Sequence, residues 1–303
     1  MAHFRFAIVA CVGLIASATP VARGQSVEIR ARELLQLGKF DEARALFQGE
    51  LRDTPLQALT GIGDSFALAG KYSEARDAYQ RLLQASATSA DRVNACLRLA
   101  ESWTYPGNYA EAERALEPAL ALARAESNPD REWTVLSRLN ALHRFANQLD
   151  EADRSAAAMA TTATNAALSE TAQRDRHLTV MEVLPMIAAK RGNEPLAMQR
   201  VEEYFRAREA AGQSPKREMM LGLIAAYLGH YATAVADLES APQRDTNIYL
   251  TYWIGVAHES LGHAAEARAA YTRIVEWRRT DSLSRLSLPL VFEPARARLL
   301  KLR

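Results

Sequence analysis

A short pattern returns seven times along this chain, and the repeat limits the possible folds more than any other sequence feature does. In six segments a glycine, once replaced by asparagine, precedes an alanine by five residues; these segments begin at Gly38, Gly70, Gly107, Asn147, Gly229 and Gly262. A seventh, beginning at Gly192, keeps the glycine and the alanine but has Glu194 where the others carry an aromatic or apolar residue. Such a period is typical of stacked helix pairs, each of which buries its apolar face against the next.

The second unit shows why each repeat is expected to form two helices. Apolar residues recur every three or four positions on both sides of Gly70, at Leu59, Ile62 and Phe66 before it and at Tyr72, Ala75 and Tyr79 after it. Gly70 can adopt the left-handed conformation that ends a helix. We expect Asp41 and Ser73 to cap the second helices of the first two units. Three N-cap residues followed by proline predict further helix starts, at Thr54, Asn128 and Ser214.

The units have unequal lengths. The repeated alanines are Ala43, Ala75, Ala112, Ala152, Ala197, Ala234 and Ala267, separated by 32, 37, 40, 45, 37 and 33 residues. The middle repeats therefore need longer helices or loops. The segment from Ser155 to Gln173 is rich in Ala and Thr and is either a helix or a linker; a helix followed by a short loop near Ser169 is favoured. Pro185 should bend the first helix of the fifth unit.

These units resemble the tetratricopeptide repeat family. The second unit carries its pattern at Ile62, Gly63, Phe66, Gly70, Tyr72, Ala75 and Tyr79, and the last carries it at Ile254, Gly255, Gly262, Ala267 and Tyr271. The resemblance implies an all-α, right-handed α-solenoid of about seven antiparallel helix pairs over residues 25–303, with a C-terminal capping helix. Two sub-stacks, 25–168 and 169–303, are possible.

The N-terminus has the pattern of a signal peptide. Arg5 precedes an apolar run from Phe6 to Ala18, and small residues follow as far as Gly24. We predict cleavage after Gly24, with a cut after Ala22 as the alternative. The apolar run is too short to span a membrane, which needs about 20 residues. The expected product is an exported protein, periplasmic or secreted, without a membrane span.

Charge and cysteine content exclude several classes of function. The chain has 37 basic and 36 acidic residues, so no global field attracts nucleic acid, and no nucleic-acid partner is expected. Loss of residues 1–24 would leave Cys96 as the sole cysteine, so an intramolecular disulfide is not predicted.

No pattern of catalytic or metal-binding residues is found. His258 and His263 lie near a glutamate, as in zinc proteases, but a five-residue spacing puts them about 140° apart on a helix. We therefore predict no metal site and no cofactor. Cys96 falls at a core position, and His143 falls where the family has a packing aromatic, so both are expected inside the stack.

The resemblance also implies a concave surface lined by the first helix of each pair. Candidate partner-binding residues on this groove are Arg32, Asp64, Glu101, Tyr105, Arg144, Tyr227, Tyr249, Tyr252 and Glu259. The clamp with which some family members grip acidic chaperone tails is absent, since its positions include Glu28, Asp64 and Glu101.

Three functions follow as hypotheses. The first is a non-catalytic scaffold that binds a protein or peptide in the groove, for example in envelope assembly. The alternative is a structural spacer that associates with itself. The third is an unrecognised hydrolase that uses His143 or His258.

Overall fold

The computed structural model describes residues 20–277 and 282–302, and all regular secondary structure in these ranges is helical. The helices are α1 (Pro20–Gln36), α2 (Phe40–Gly49), α3 (Pro55–Leu68), α4 (Tyr72–Ala85), α5 (Ser89–Thr104), α6 (Tyr109–Ala125), α7 (Pro129–Phe145), α8 (Leu149–Ala163), α9 (Glu170–Lys190), α10 (Glu194–Ala210), α11 (Arg217–Leu228), α12 (Tyr231–Ser240), α13 (Ile248–Ser260), α14 (Ala264–Val275) and α15 (Ser282–Lys301). Each helix packs on the next, which confirms the all-α stack of seven helix pairs and a final helix.

The N-terminal prediction lies mostly outside these ranges. Residues 1–19, which hold the apolar run of the predicted signal peptide, are not among the described residues, and α1 begins at Pro20. None of the described helices has the length and apolar composition needed to cross a membrane.

The repeated turn residue has the backbone conformation that the pattern predicts. All seven turn residues are left-handed, with φ between 60° and 82°: Gly38, Gly70, Gly107, Asn147, Gly192, Gly229 and Gly262. A residue with a Cβ atom adopts this conformation at a cost, which asparagine tolerates better than most. The turns therefore explain why glycine recurs and why asparagine is its one replacement.

The repeated alanine marks the place where paired helices come closest. All seven are completely buried: Ala43, Ala75, Ala112, Ala152, Ala197, Ala234 and Ala267. Gly63 shows the same close approach from the first helix, since a Cβ atom there would lie 2.2 Å from Cε1 of Tyr79. Small residues at these points let each helix pair close, and the aromatic rings fill the remaining space.

Two of the three predicted helix starts are confirmed. Thr54 and Asn128 are N-cap residues followed by proline, and Oδ1 of Asn128 accepts a hydrogen bond of 3.1 Å from the Arg131 amide. The prediction at Ser214 is wrong, because α11 begins only at Arg217.

The predicted caps at Asp41 and Ser73 are also wrong. The helices α2 and α4 begin earlier, at Phe40 and Tyr72, so both polar residues lie inside the first turn. There Asp41 forms an ion pair with Arg44 instead of capping the helix.

The middle of the chain forms a helix and then a loop, as favoured. The helix α8 ends at Ala163, and α9 begins after Ser169, whose hydroxyl accepts a hydrogen bond from the Ala172 amide. The helix α9 continues through Pro185 for five more residues. Buried residues of α1–α8 form one core with residues of α13–α15, while the two sub-stacks stay a prediction.

The C-terminal helix does more than cap the stack. It packs on α13 and α14 and also reaches α5 and α7, the first helices of the third and fourth pairs. Its Phe292 meets the Tyr105 ring edge-on with centroids 6.0 Å apart, and Val291 is completely buried. The inner surface of the third and fourth helix pairs is thus covered by the chain's own helix, and the expectation of an exposed row of first-helix side chains along the concave surface is wrong there.

Candidate functional site

The first helices of the pairs form the inner layer of the stack. Within this layer, the end of α7 meets α13. Helix α11 contacts both α9 and α13 along this layer. Phe145, at the end of α7, touches rings of α13 three repeats later, with centroid distances of 6.4 Å to Tyr249 and 5.9 Å to Tyr252. The curvature of the stack therefore brings side chains of distant repeats into contact.

A group of cationic and aromatic side chains lies beside this meeting point. We call it the basic aromatic cluster, and it consists of Arg144 from α7, Lys190 from α9, Tyr227 from α11, and Tyr249 and Trp253 from α13. All five residues are half-buried. The Tyr227 and Tyr249 hydroxyl oxygens are hydrogen-bonded at 2.9 Å, and the Tyr227 ring meets Trp253 edge-on at 4.8 Å.

The two cations of the cluster have no acidic partner among the described residues. Nζ of Lys190 lies 5.1 Å from the ring centroid of Tyr227 and 5.8 Å from that of Trp253. The Arg144 guanidinium donates a hydrogen bond of 2.8 Å to Oδ1 of Asn140 and otherwise faces a methionine sulfur. Aromatic faces attract cations, but they do not neutralise them.

Electrostatics in the cluster reflect this uncompensated charge. Burial, together with the nearby charge of Arg144, lowers the pKa of Lys190 to about 8. Burial also raises the pKa of Tyr227 well above its usual value, so its hydroxyl stays protonated. The indole Nε1 of Trp253 is buried and has no hydrogen-bond partner in the described part of the chain. A ligand with acceptor oxygens would find donors here and no competing acid.

Two of the predicted groove residues lie in the core instead. Asp64 is 5% exposed, and its carboxylate accepts a hydrogen bond of 2.8 Å from the Tyr79 hydroxyl within the second helix pair. Tyr252 is 6% exposed and packs between Phe145 and Trp253. Both side chains offer little surface to a partner.

Two further candidates lie against the C-terminal helix. Tyr105 stacks on the Tyr72 ring at 5.2 Å and touches α15. Glu259 accepts hydrogen bonds of 2.6 Å from Tyr271 and 2.7 Å from Arg298. Their polar and aromatic groups are used within the fold.

Two more of the charged candidates, Glu101 and Arg32, form ion pairs. Glu101 pairs with Arg98 at 2.7 Å and with Arg138 at 3.2 Å, and it is buried. Arg32 pairs with Glu28 at 2.7 Å one turn away on α1.

Of the nine predicted residues, the structure brings four together: Arg144, Tyr227, Tyr249 and Tyr252. Sequence reasoning missed Phe145, Lys190 and Trp253. The first two, like Tyr227, stand two residues before the turn residue of their repeat, so the register of the repeat holds a signal for them. Trp253 has no comparable signal.

The histidine pair at the last turn differs from its prediction. Because Gly262 turns the chain back, Nδ1 of His258 and Nδ1 of His263 lie 3.2 Å apart, and the expected divergence of the two rings is wrong. Nε2 of His258 lies 3.0 Å from the Glu239 carboxylate. Within the described ranges, no group of three or more His, Cys, Asp or Glu side chains is arranged to hold a metal ion.

His143 and Cys96 occupy the interior, as expected. His143 is 5% exposed and lies 3.3 Å from the Glu113 carboxylate. Burial raises the pKa of the Cys96 thiol, which makes it a poor nucleophile at neutral pH.

Comparison with known proteins agrees with this architecture. The family model described as "Tetratricopeptide repeat" matches residues 30–90 and 219–282. A crystal structure of a tetratricopeptide repeat protein from Parabacteroides merdae is similar, with a TM-score of 0.53 and 16% identity over 92% of this chain and 98% of that one. At this identity the likeness concerns the fold. No curated protein matches the chain.

Proposed function

We propose that this member of the tetratricopeptide repeat family is a non-catalytic scaffold that binds a protein or peptide on the inner surface of its C-terminal repeats. Repeats of this family generally mediate protein–protein interaction. The observation that carries the proposal is the basic aromatic cluster, which keeps half-buried Tyr, Trp and Arg side chains on the inner helices. These three residue types are enriched among the few residues that carry most of the binding energy at protein interfaces.

The cluster is also held rigidly, which favours binding. Its residues come from helices rather than loops, and α11 packs directly on both α9 and α13. Ring contacts at 4.8 Å and 6.4 Å fix Trp253 against Tyr227 and Tyr249. A surface that is ordered before binding loses little conformational entropy when a partner arrives.

Affinity capture tests this proposal. The wild-type protein should retain its partner from the envelope fraction of its own cell. The amount captured should fall at least tenfold with Tyr249→Ala, because this change removes an aromatic contact of the cluster. Met198→Ala is the matched control, since Met198 is 37% exposed on the outer helix α10. Circular dichroism checks that both variants keep their helix content. Equal capture by Tyr249→Ala and the wild type would count against the proposal.

Export is part of the same proposal. It is supported by the apolar run and small residues of positions 1–24, and it implies a partner in the periplasm or outside the cell, for example in envelope assembly. N-terminal sequencing of the protein recovered outside the cytoplasm should begin at Gln25, or at Arg23 if the cut follows Ala22. A protein that is found only in the cytoplasm and still begins at Met1 would contradict export.

Self-association is a second candidate function, and one observation favours it. Ile29 and Leu37 on α1 and in the following turn are 62% and 71% exposed, so the N-terminal end of the stack presents apolar side chains. Light scattering across a concentration series should show a dimer that Leu37→Lys abolishes. A monomer at every concentration would remove this candidate.

A further inference from the structure

We propose that the basic aromatic cluster receives a carboxylate side chain of the bound polypeptide between Lys190 and Arg144, while the aromatic rings contact an apolar side chain beside it. This inference rests on the proposed function and adds the chemistry of the partner. It predicts an acidic segment that also carries an apolar residue.

The first argument is that these two cations are an exception within the inner layer. Among the described residues of the inner helices, the other half-buried arginine side chains form ion pairs, as Arg98 and Arg138 do with Glu101. Arg144 and Lys190 have no such partner among the described residues. A desolvated cation without a counter-ion is unfavourable, and an anion that binds beside it recovers part of the lost solvation.

The second argument concerns the donors around the cations. The hydroxyls of Tyr227 and Tyr249 share one hydrogen bond, which leaves one of the two protons available to an incoming oxygen. Ion pairs and charged hydrogen bonds are stronger in such half-buried places than in water. A carboxylate has the acceptor oxygens that this set of donors lacks.

The third argument separates this ligand from other anions. A nucleic-acid strand is bound by neutralising many phosphates, whereas the cluster supplies two cations in a nearly neutral chain. The rings of Tyr249 and Trp253 border the same place and suit an apolar side chain rather than a hydrated ion. The site also differs from the chaperone-tail clamp, whose positions here include the acidic Glu28, Asp64 and Glu101.

Lysine labelling gives a direct test, because the chain has five lysines, which are Lys39, Lys71, Lys190, Lys216 and Lys301. The probe is a blocked hexapeptide of alternating Glu and Leu, and its control is the same peptide with Gln in place of Glu. With the Glu peptide, acylation of Lys190 at pH 8 should slow at least fivefold while the exposed Lys71 reacts as before. The Gln peptide should protect much less.

Three outcomes would overturn the inference. Equal protection of Lys190 by both peptides would mean that the cluster binds polypeptide without a specific contact to a carboxylate. Protection by inorganic phosphate as strong as that by the Glu peptide would indicate a site for free anions. No protection of Lys190 by either peptide would exclude the acidic segment. Capture by the Tyr249→Ala variant is measured separately, so the proposed function can hold when this inference fails.

Substitutions in the cluster provide a second test of the inference. Lys190→Gln and Arg144→Gln should each weaken calorimetric binding of the Glu peptide at least tenfold, whereas Lys190→Arg should keep most of it. Arg206→Gln is the matched control, because Arg206 is exposed on the outer helix α10. Thermal melts establish that each variant is folded. Unchanged affinity in Lys190→Gln would contradict the proposed carboxylate contact.

Discussion

The Tyr72 hydroxyl donates a hydrogen bond of 2.7 Å to Oε1 of Glu293, across 221 residues of sequence. This contact joins the second helix pair to α15, and burial raises the pKa of the Tyr72 hydroxyl. Because α15 also packs on α13 and α14, it connects the last helix pair to the second. A repeat protein usually gains stability from neighbouring units alone, so this long-range contact should make unfolding of the whole chain more cooperative.

Removing the aromatic anchor of α15 should test that connection. Phe292→Ala is expected to lower the free energy of unfolding by about 2 to 4 kcal/mol, since it leaves a cavity beside Tyr105. Urea unfolding followed by circular dichroism measures the loss. Leu300→Ala, on the exposed face of the same helix, should change stability by less than about 0.5 kcal/mol. Equal effects of the two changes would mean that α15 does not anchor the stack through Phe292.

Glycine in the first helix should be essential for pair closure. Gly63→Ala should destabilise the protein by about 2 kcal/mol or more, because the new Cβ atom would lie 2.2 Å from the Tyr79 ring. Gly49→Ala is the matched control in α2, where no atom lies within 4 Å of the added methyl group. The control should be neutral or slightly stabilising, by up to about 1 kcal/mol. Thermal unfolding compares both variants, and a stable Gly63→Ala protein would contradict the close approach.

The turn conformation should have a measurable cost when glycine is lost. Gly229→Ala is expected to cost about 1 kcal/mol from backbone strain alone, since φ is 81° and no atom crowds the site. Gly229→Asn should cost less, and Asn147→Gly should be neutral or slightly stabilising, because asparagine already tolerates φ of 60° there. Chemical denaturation of the three variants gives the order. Alanine as stable as glycine at position 229 would refute the role of the turn.

The uncompensated charge of Lys190 should reduce stability near neutral pH. Its pKa of about 8 in the folded protein lies below its usual value of 10.5. The folded state therefore releases its proton first, and the contribution of Lys190 to stability rises as the pH increases from about 8 to about 10.5. Lys190→Met should accordingly stabilise the protein at pH 7 by about 1 to 3 kcal/mol, and less at pH 10.

The test requires that the other titrating groups facing Lys190 do not themselves cause a pH-dependent difference in stability between the wild type and Lys190→Met. Arg144 from α7 stays charged throughout, and the raised pKa of Tyr227 keeps that hydroxyl neutral. Tyr249 from α13 is removed as a variable by repeating the comparison in a Tyr249→Phe background. A pH-independent difference between wild type and Lys190→Met would show that the buried charge is not the cause.

The repeat pattern predicted those parts of the fold that depend on neighbours in sequence. The left-handed turns and the buried alanines recur because each helix pair solves the same packing problem, as Gly70 and Ala75 illustrate. The candidate site could be predicted only in part. Arg144, Tyr227 and Tyr249 follow from the repeat register, but the contact of Phe145 with Tyr249 depends on the curvature of the whole stack.

The same reasoning explains why several groove candidates were placed differently by the structure. The repeat register identifies the helix face on which Asp64 and Tyr105 lie. It does not reveal that the Tyr79 hydroxyl already donates a hydrogen bond to Asp64, or that α15 already covers Tyr105. The pairing of a first-helix residue with a segment nearly two hundred positions later leaves no local signal.

The location of the bound partner is the central claim, and site-specific photo-crosslinking tests it most directly. We predict that p-benzoylphenylalanine introduced at position 249 crosslinks to the captured partner, whereas the same residue at position 198 on the outer helix α10 does not. Crosslinking from position 198 but not from position 249 would place the partner on the outer surface and contradict the account.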